Sequence, residues 1–125
     1  MKLEEVQLTR QQLEFILGYF RENHPREALL ILSGKRKGRT AQVEDIYIPP
    51  FAVHGPTYAQ FSVFHLPPIR VIGTAHSHPS GACKPSTQDL NSAIGLVILI
   101  STPPYTPAST CAYTHSGEKL KISVR

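Results

Sequence analysis

Residues 73–90 read GTAHSHPSGACKPSTQDL. The segment starts as a strand, breaks into a loop and ends on the first turn of a helix. Side chains two apart on a strand point the same way, so His76 and His78 share one face and Ser77 takes the other. Pro79, Gly81 and Pro85 are residues that turn a chain. Ser86 is a helix-capping residue, which places Asp89 in the first helical turn, where the positive end of the peptide dipoles favours an ionised carboxylate. Two imidazoles and a deprotonated carboxylate form a metal-ligand set. Three protein ligands with a fourth position open is the pattern of catalytic zinc sites, whereas closed structural sites use four. Each piece alone has an ordinary meaning: a buried histidine bonded in the core, a helix cap. The combination is more specific, because its members have compatible roles and spacing.

Working outward, PREALLILSG (residues 25–34) predicts a strand over 27–33 that is buried on both faces. Glu27 opens it, and a carboxylate there is costly to bury without a partner. Water activated by a metal needs a base to take its proton, and Glu27 is the candidate. Before this strand, Leu13, Ile16, Leu17 and Phe20 fall at helical spacing. Thr9 and Gln12 form a capping-box signal, and Asn23-His24-Pro25 ends the helix. After it the pattern predicts a turn over 34–39 and a return strand over 41–48, stopped by Pro49-Pro50. A loop over 51–58, a short strand over 60–64 and a strand over 70–78 follow. A short helix over 86–94 and a buried strand over 96–101 come next. The last two strands, 109–115 and 119–124, form a hairpin around Ser116-Gly117. Roughly two helices and seven strands, mostly in hairpin order, predict an α+β fold in a single domain over 1–125.

The chain has 125 residues, a formal net charge of +4 and a pI near 9.3. Much of the excess charge sits in KRKGR, Lys35 to Arg39, which reads as a solvated hairpin tip. Aromatic residues do not interleave with it as a single-strand nucleic-acid platform requires, so no nucleic-acid partner is expected. No apolar run approaches the roughly 18 residues of a membrane span, and MKLEEVQLTR lacks a signal-peptide pattern. The expectation is a cytoplasmic protein without a membrane partner. His24 reads as a helix-end residue, and His54, His65 and His115 as loop or surface residues. Cys83 and Cys111 leave two readings open: two buried thiols, or one disulfide tying the loop after His78 to a late strand. Apolar surface on the first helix could support a homodimer.

His76-Ser77-His78-Pro79, with Ser86 and Asp89 following the seven residues Pro79–Pro85, resembles the JAMM motif of the MPN+ (JAB1/MPN/Mov34) zinc metalloproteases. Glu27, ahead of an apolar strand and a glycine, matches the upstream glutamate of that family. The resemblance runs from the first helix to the last hairpin and is closest to the small, free-standing prokaryotic members, especially archaeal ones. It implies a cytidine-deaminase-like α+β fold, with a curved, mostly antiparallel sheet flanked by helices. It implies zinc (Zn2+) held by His76, His78 and Asp89, with Glu27 as general acid/base and Ser86 as hydrogen-bond donor to the oxyanion. The implied reaction is hydrolysis of the isopeptide or peptide bond after the C-terminal Gly-Gly of ubiquitin or a ubiquitin-like protein. HSHPSG also resembles the H-N-H-P-S-G of RadC-like proteins, and processing of a sulfur-carrier protein is a further alternative. Metal-free MPN scaffolds lack ligands of the motif, whereas this chain keeps all of them.

Overall fold

The structure is a computed structural model that describes residues 1–49 and 70–125. The expected loop over 51–58, the strand over 60–64 and the readings of His54 and His65 lie outside the described residues. The elements run β1 (Glu5–Leu8), α1 (Arg10–Asn23), β2 (Leu29–Lys37), β3 (Thr40–Tyr47), β4 (Val71–Ser77), α2 (Thr87–Asn91), β5 (Val97–Ser101), β6 (Thr110–Thr114) and β7 (Lys119–Val124).

The first helix forms as its residues dictate. The Gln12 N–H donates to Thr9 Oγ1 at 3.0 Å, and the Thr9 N–H donates to Gln12 Oε1 at 2.8 Å. This reciprocal pair satisfies two N–H groups that a helix start leaves without partners. Leu13, Ile16, Leu17 and Phe20 are the buried face of α1. They pack onto Val6, Leu30, Leu32, Val43, Val97 and Leu99, which form one face of the sheet.

Among the described residues four of the seven strand pairings are antiparallel, in keeping with the expected sheet, and what the sequence reading lacks is its closure. The sheet is mixed and closed into a barrel in the order β1-β3-β2-β4-β5-β6-β7. Closure comes from β1, which lies parallel to both β3 and β7. The sequence reading has no strand there, because four residues with two apolar positions carry little local signal. The pair β4–β5 is also parallel, which requires a crossover, and α2 lies in it. The remaining pairings are antiparallel. A mixed sheet with two helices is an α+β architecture.

Two further boundaries differ. The second strand continues through Lys37, so the turn is confined to Gly38-Arg39, with Gly38 at φ +63°. Charged side chains at an exposed strand end do not interrupt main-chain pairing, and the basic run is largely part of the hairpin's own ladder. Arg39 pairs with Glu4 at 2.7 Å and Lys35 with Glu44 at 3.9 Å. The second helix is five residues, Thr87–Asn91, rather than the expected 86–94, and Ser86 is its cap.

So short a helix is not stable alone. It is held against the outer face of β5 and β6 by a second cluster, Ile98, Ile100 and Cys111, with Leu90, Ala93, Cys83 and Tyr113 packed on it. Strand β5 is thus buried on both faces, with Val97 and Leu99 toward α1 and Ile98 and Ile100 toward α2. Of the two cysteine readings, the structure has the disulfide, Cys83–Cys111, with Cα atoms 6.1 Å apart. It ties the loop between β4 and α2 to β6.

Candidate metal centre

The antiparallel register of β2 and β4 sets Leu29 opposite His76. Directly opposed residues share a face, and so do residues two apart. Glu27 and His78, each two positions from that pair, therefore come to the same side at the end of the two strands. The loop from Pro79 to Pro85 then returns the chain, and the first turn of α2 delivers Asp89. One nitrogen or oxygen from each of Glu27, His76, His78 and Asp89 lies within 4.8 Å of all the others. The four residues that the sequence singles out as ligands and base are thus brought together.

His78 Nε2 is 2.9 Å from Asp89 Oδ2, and His76 Nε2 is 3.9 Å from Asp89 Oδ1. Ligand atoms on a tetrahedral zinc with bonds of about 2.1 Å stand about 3.4 Å apart, a value these two separations bracket. His78 Nδ1 lies 2.7 Å from the Ala82 carbonyl, which fixes the ring and leaves Nε2 as the ligand nitrogen. Asp89 Oδ2 also accepts the Ser86 N–H at 2.8 Å, while Ser86 Oγ accepts the Asp89 N–H at 3.0 Å. This reciprocal pair is the capping box of α2, so the helix start and the ligand carboxylate are one device. The Ser86 hydroxyl, engaged as an acceptor, keeps its proton available for donation at the cleft.

The protonation states suit a metal. Burial works against the charge on Asp89, but the hydrogen bond from His78, the nearby His76 and the Ser86 N–H bring its carboxyl down to about 2. Burial drives His76 down to about 4, against the pull of Asp89, so its ring is neutral. Burial also disfavours the charged form of His78. The hydrogen bonds to Asp89 and to the Ala82 carbonyl outweigh it and raise the pKa. Glu27 is pushed up to about 7, chiefly by burial, with His78 lowering it and the Asp89 charge raising it. A carboxyl group that titrates near neutrality is suited to accepting and returning a proton.

One proton therefore competes with a metal in the acid range, that of His78, because His76 and Asp89 are already deprotonated. Metal affinity is expected to fall by about tenfold per pH unit below the His78 pKa, one proton being displaced per ion bound. Titration of zinc against a competing chelator between pH 8 and 5 checks this, and a slope near two would show that His76 is protonated as well.

Glu27, His78 and Asp89 line an open cleft of about 360 Å³, whose walls include Pro79, Lys84, Pro85, Ser86 and Gln88, with His76 buried behind them. His24 is at the end of α1, as expected, with Nδ1 2.7 Å from the Tyr105 hydroxyl, and His115 is exposed. Neither belongs to the cluster. The sequence reading missed the Ala82 carbonyl, which carries no residue-type signal, and the part played by Ser77.

Comparison with known proteins agrees with this geometry. Residues 10–116 match the family described as prokaryotic homologs of the JAB domain (Prok-JAB). A probable metalloprotease from Haloferax volcanii is 32% identical over 129 residues, spanning 97% of this chain and 80% of its own. A solved structure described as JAMM, a metalloprotease-like zinc site in the proteasome and signalosome, is 27% identical. It superposes with a TM-score of 0.68 over 99% of each chain. A JAB1/MPN domain protein from Archaeoglobus fulgidus, also 27% identical, gives 0.69 over 100% of both chains. The match over most of its length and the four converging side chains agree: this chain belongs to the JAB/MPN family of JAMM-type metalloproteases, among its prokaryotic homologs.

Proposed function

We propose that the protein is a zinc-dependent isopeptidase that hydrolyses the bond after the C-terminal Gly-Gly of ubiquitin-like proteins, with small archaeal modifiers as its substrate class. The observation that carries the reading is Glu27: a buried carboxylate, its Oε1 3.9 Å from His76 Nδ1, set beside a three-ligand metal group. A second carboxyl group there, titrating near neutrality, is suited to taking a proton from water and returning it beside three ligands. His76 and His78, through ring nitrogens, and Asp89, through its carboxylate, would hold the zinc. When bound, zinc supplies a Lewis acid that polarises the scissile carbonyl and makes water acidic enough to ionise near neutral pH.

The chain's own residues do the rest. The Glu27 carboxylate accepts a proton from the attacking water and returns it to the departing amine. The Ser86 hydroxyl donates to the oxygen of the scissile carbonyl as it gains charge. The cleft accepts an extended chain, a shape that a Gly-Gly terminus adopts without side-chain hindrance. The probable metalloprotease from Haloferax volcanii supports proteolysis as the reaction type. We assign the barrel to the cytidine-deaminase-like architecture and the working compartment to the cytoplasm. Among the described residues no helix is long and apolar enough to cross a membrane.

The test is a panel of ubiquitin-fold proteins, each joined through Gly-Gly to a lysine side chain or to a linear extension, and incubated with zinc-loaded and chelator-treated protein. Cleavage after Gly-Gly by the zinc-loaded form alone is expected. Release of an intact sulfur-carrier protein only, with isopeptide conjugates untouched, would move the assignment to sulfur-carrier processing.

A further inference from the structure

Between the two ligand histidines stands Ser77, which is fully buried, as is Ala28 on the neighbouring strand. The paired register of β2 and β4 ends at Leu29 and His76. One residue further on, the Ser77 N–H still donates to the Ala28 carbonyl at 3.0 Å. In a regular antiparallel pair the return bond runs from the Ala28 N–H to the Ser77 carbonyl. Here the Ala28 N–H donates instead to Ser77 Oγ, at 2.9 Å. The hydroxyl thus takes the place of the carbonyl at the point where β2 ends.

We propose that Ser77 is a positioning residue for Glu27: its hydroxyl fixes the Ala28 N–H and so sets the adjacent Glu27 carboxylate against His76. The inference rests on the reading of Glu27 as the proton-transferring group. The ligands do not depend on this bond. His76 is held between Leu29 and Ile100 in the sheet. The His78 N–H donates to the Ser101 carbonyl at 2.9 Å, and its ring is fixed by Ala82. Removing the hydroxyl should therefore separate proton transfer from metal binding. Water cannot replace the acceptor in so buried a position, which leaves the Ala28 N–H without a partner.

The experiment compares zinc-loaded wild type, Ser77→Ala and Ser77→Thr by amide hydrogen exchange at Ala28, zinc affinity and cleavage of an isopeptide reporter. In Ser77→Ala, exchange at Ala28 should accelerate by at least about tenfold, because the amide loses the acceptor it has among the described residues. The kcat should fall by about 10- to 100-fold, the cost of a base displaced by up to about an ångström, while KM and zinc affinity stay within about threefold. Ser77→Thr, which retains the hydroxyl, should restore both exchange protection and kcat. A zinc affinity that falls in step with kcat, or unchanged exchange in Ser77→Ala, would overturn the proposal. If wild type cleaves nothing, the functional reading fails on its own, and crystal structures of zinc-loaded wild type and Ser77→Ala decide the positioning. An unmoved Glu27 carboxylate then refutes it. Should Ser77→Ala not fold, Ser77→Cys, whose thiol is a weak acceptor, gives the graded form of the same loss.

Discussion

Glu27→Gln is expected to bind zinc as the parent does and to lose about 10²- to 10⁴-fold in kcat, the range that a positioned general acid/base supplies. Glutamine has the same shape and fits the same buried place, but its amide cannot take a proton from water. The substitution therefore removes the chemistry and leaves the ligands. Zinc stoichiometry by elemental analysis, beside cleavage rates, reads the two effects separately. The change also has a sign in stability. Folding raises the Glu27 pKa from its ordinary value of 4.5 to about 7, chiefly by burial. A carboxyl shifted upward contributes stability that is complete below the unfolded pKa and lost as pH rises through the folded one. In metal-free protein, Glu27→Gln should thus gain on the parent as pH climbs from about 4.5 to 7, and the gap should hold above that. Denaturant midpoints with chelator present at pH 5 and pH 8 measure it. A variant equally active with zinc bound would remove Glu27 from the mechanism; one that loses zinc would make it a ligand.

The parts of the molecule that local chemistry specifies were legible in the sequence. The capping pair Thr9 and Gln12 and the apolar stripe Leu13, Ile16, Leu17 and Phe20 define α1 with no reference to the rest of the chain. The centre was legible for the same reason. His76 and His78 are related by strand periodicity, and Ser86 and Asp89 by a capping box. Glu27, which alone reads as an exposed strand-end residue, stood out only beside the metal triad, because a carboxylate at the head of an apolar strand is costly to bury without a partner. What was not legible depends on partners distant in sequence. Strand β1 exists because β3 and β7 accept it from two sides, and barrel closure follows from it. The length of β2 is set by its pairing with β3 rather than by its charges. The Ala82 carbonyl and the Ser77 hydroxyl act through main-chain positions, which residue types do not announce.

Asp89 is the residue whose replacement should separate metal binding from local folding. Its Oδ2 accepts from Ser86 N–H and lies 2.9 Å from His78 Nε2, while Oδ1 faces His76. Asp89→Asn keeps a carbonyl oxygen for the Ser86 N–H but removes the negative charge that a cation requires. Asp89→Ala removes both. Each variant is expected to lose zinc affinity by more than about 100-fold, the upper end of what even an indirect partner of a ligand costs, and cleavage with it. Both should also destabilise the metal-free protein near neutral pH, because a carboxyl held down to about 2 stabilises the fold when ionised, and Asp89→Ala should do so by about 1 kcal/mol more, the typical worth of a lost helix-capping interaction. The two substitutions thus share the loss of zinc and differ in the size of the loss in stability. Chelator competition reads the first, and denaturant midpoints in chelator read the second. If Asp89→Ala kept zinc, the ligand set would be wrong. If Asp89→Asn were as destabilised as Asp89→Ala, the carboxylate charge, and not its hydrogen bond to Ser86, would be what anchors α2 beside the two histidines.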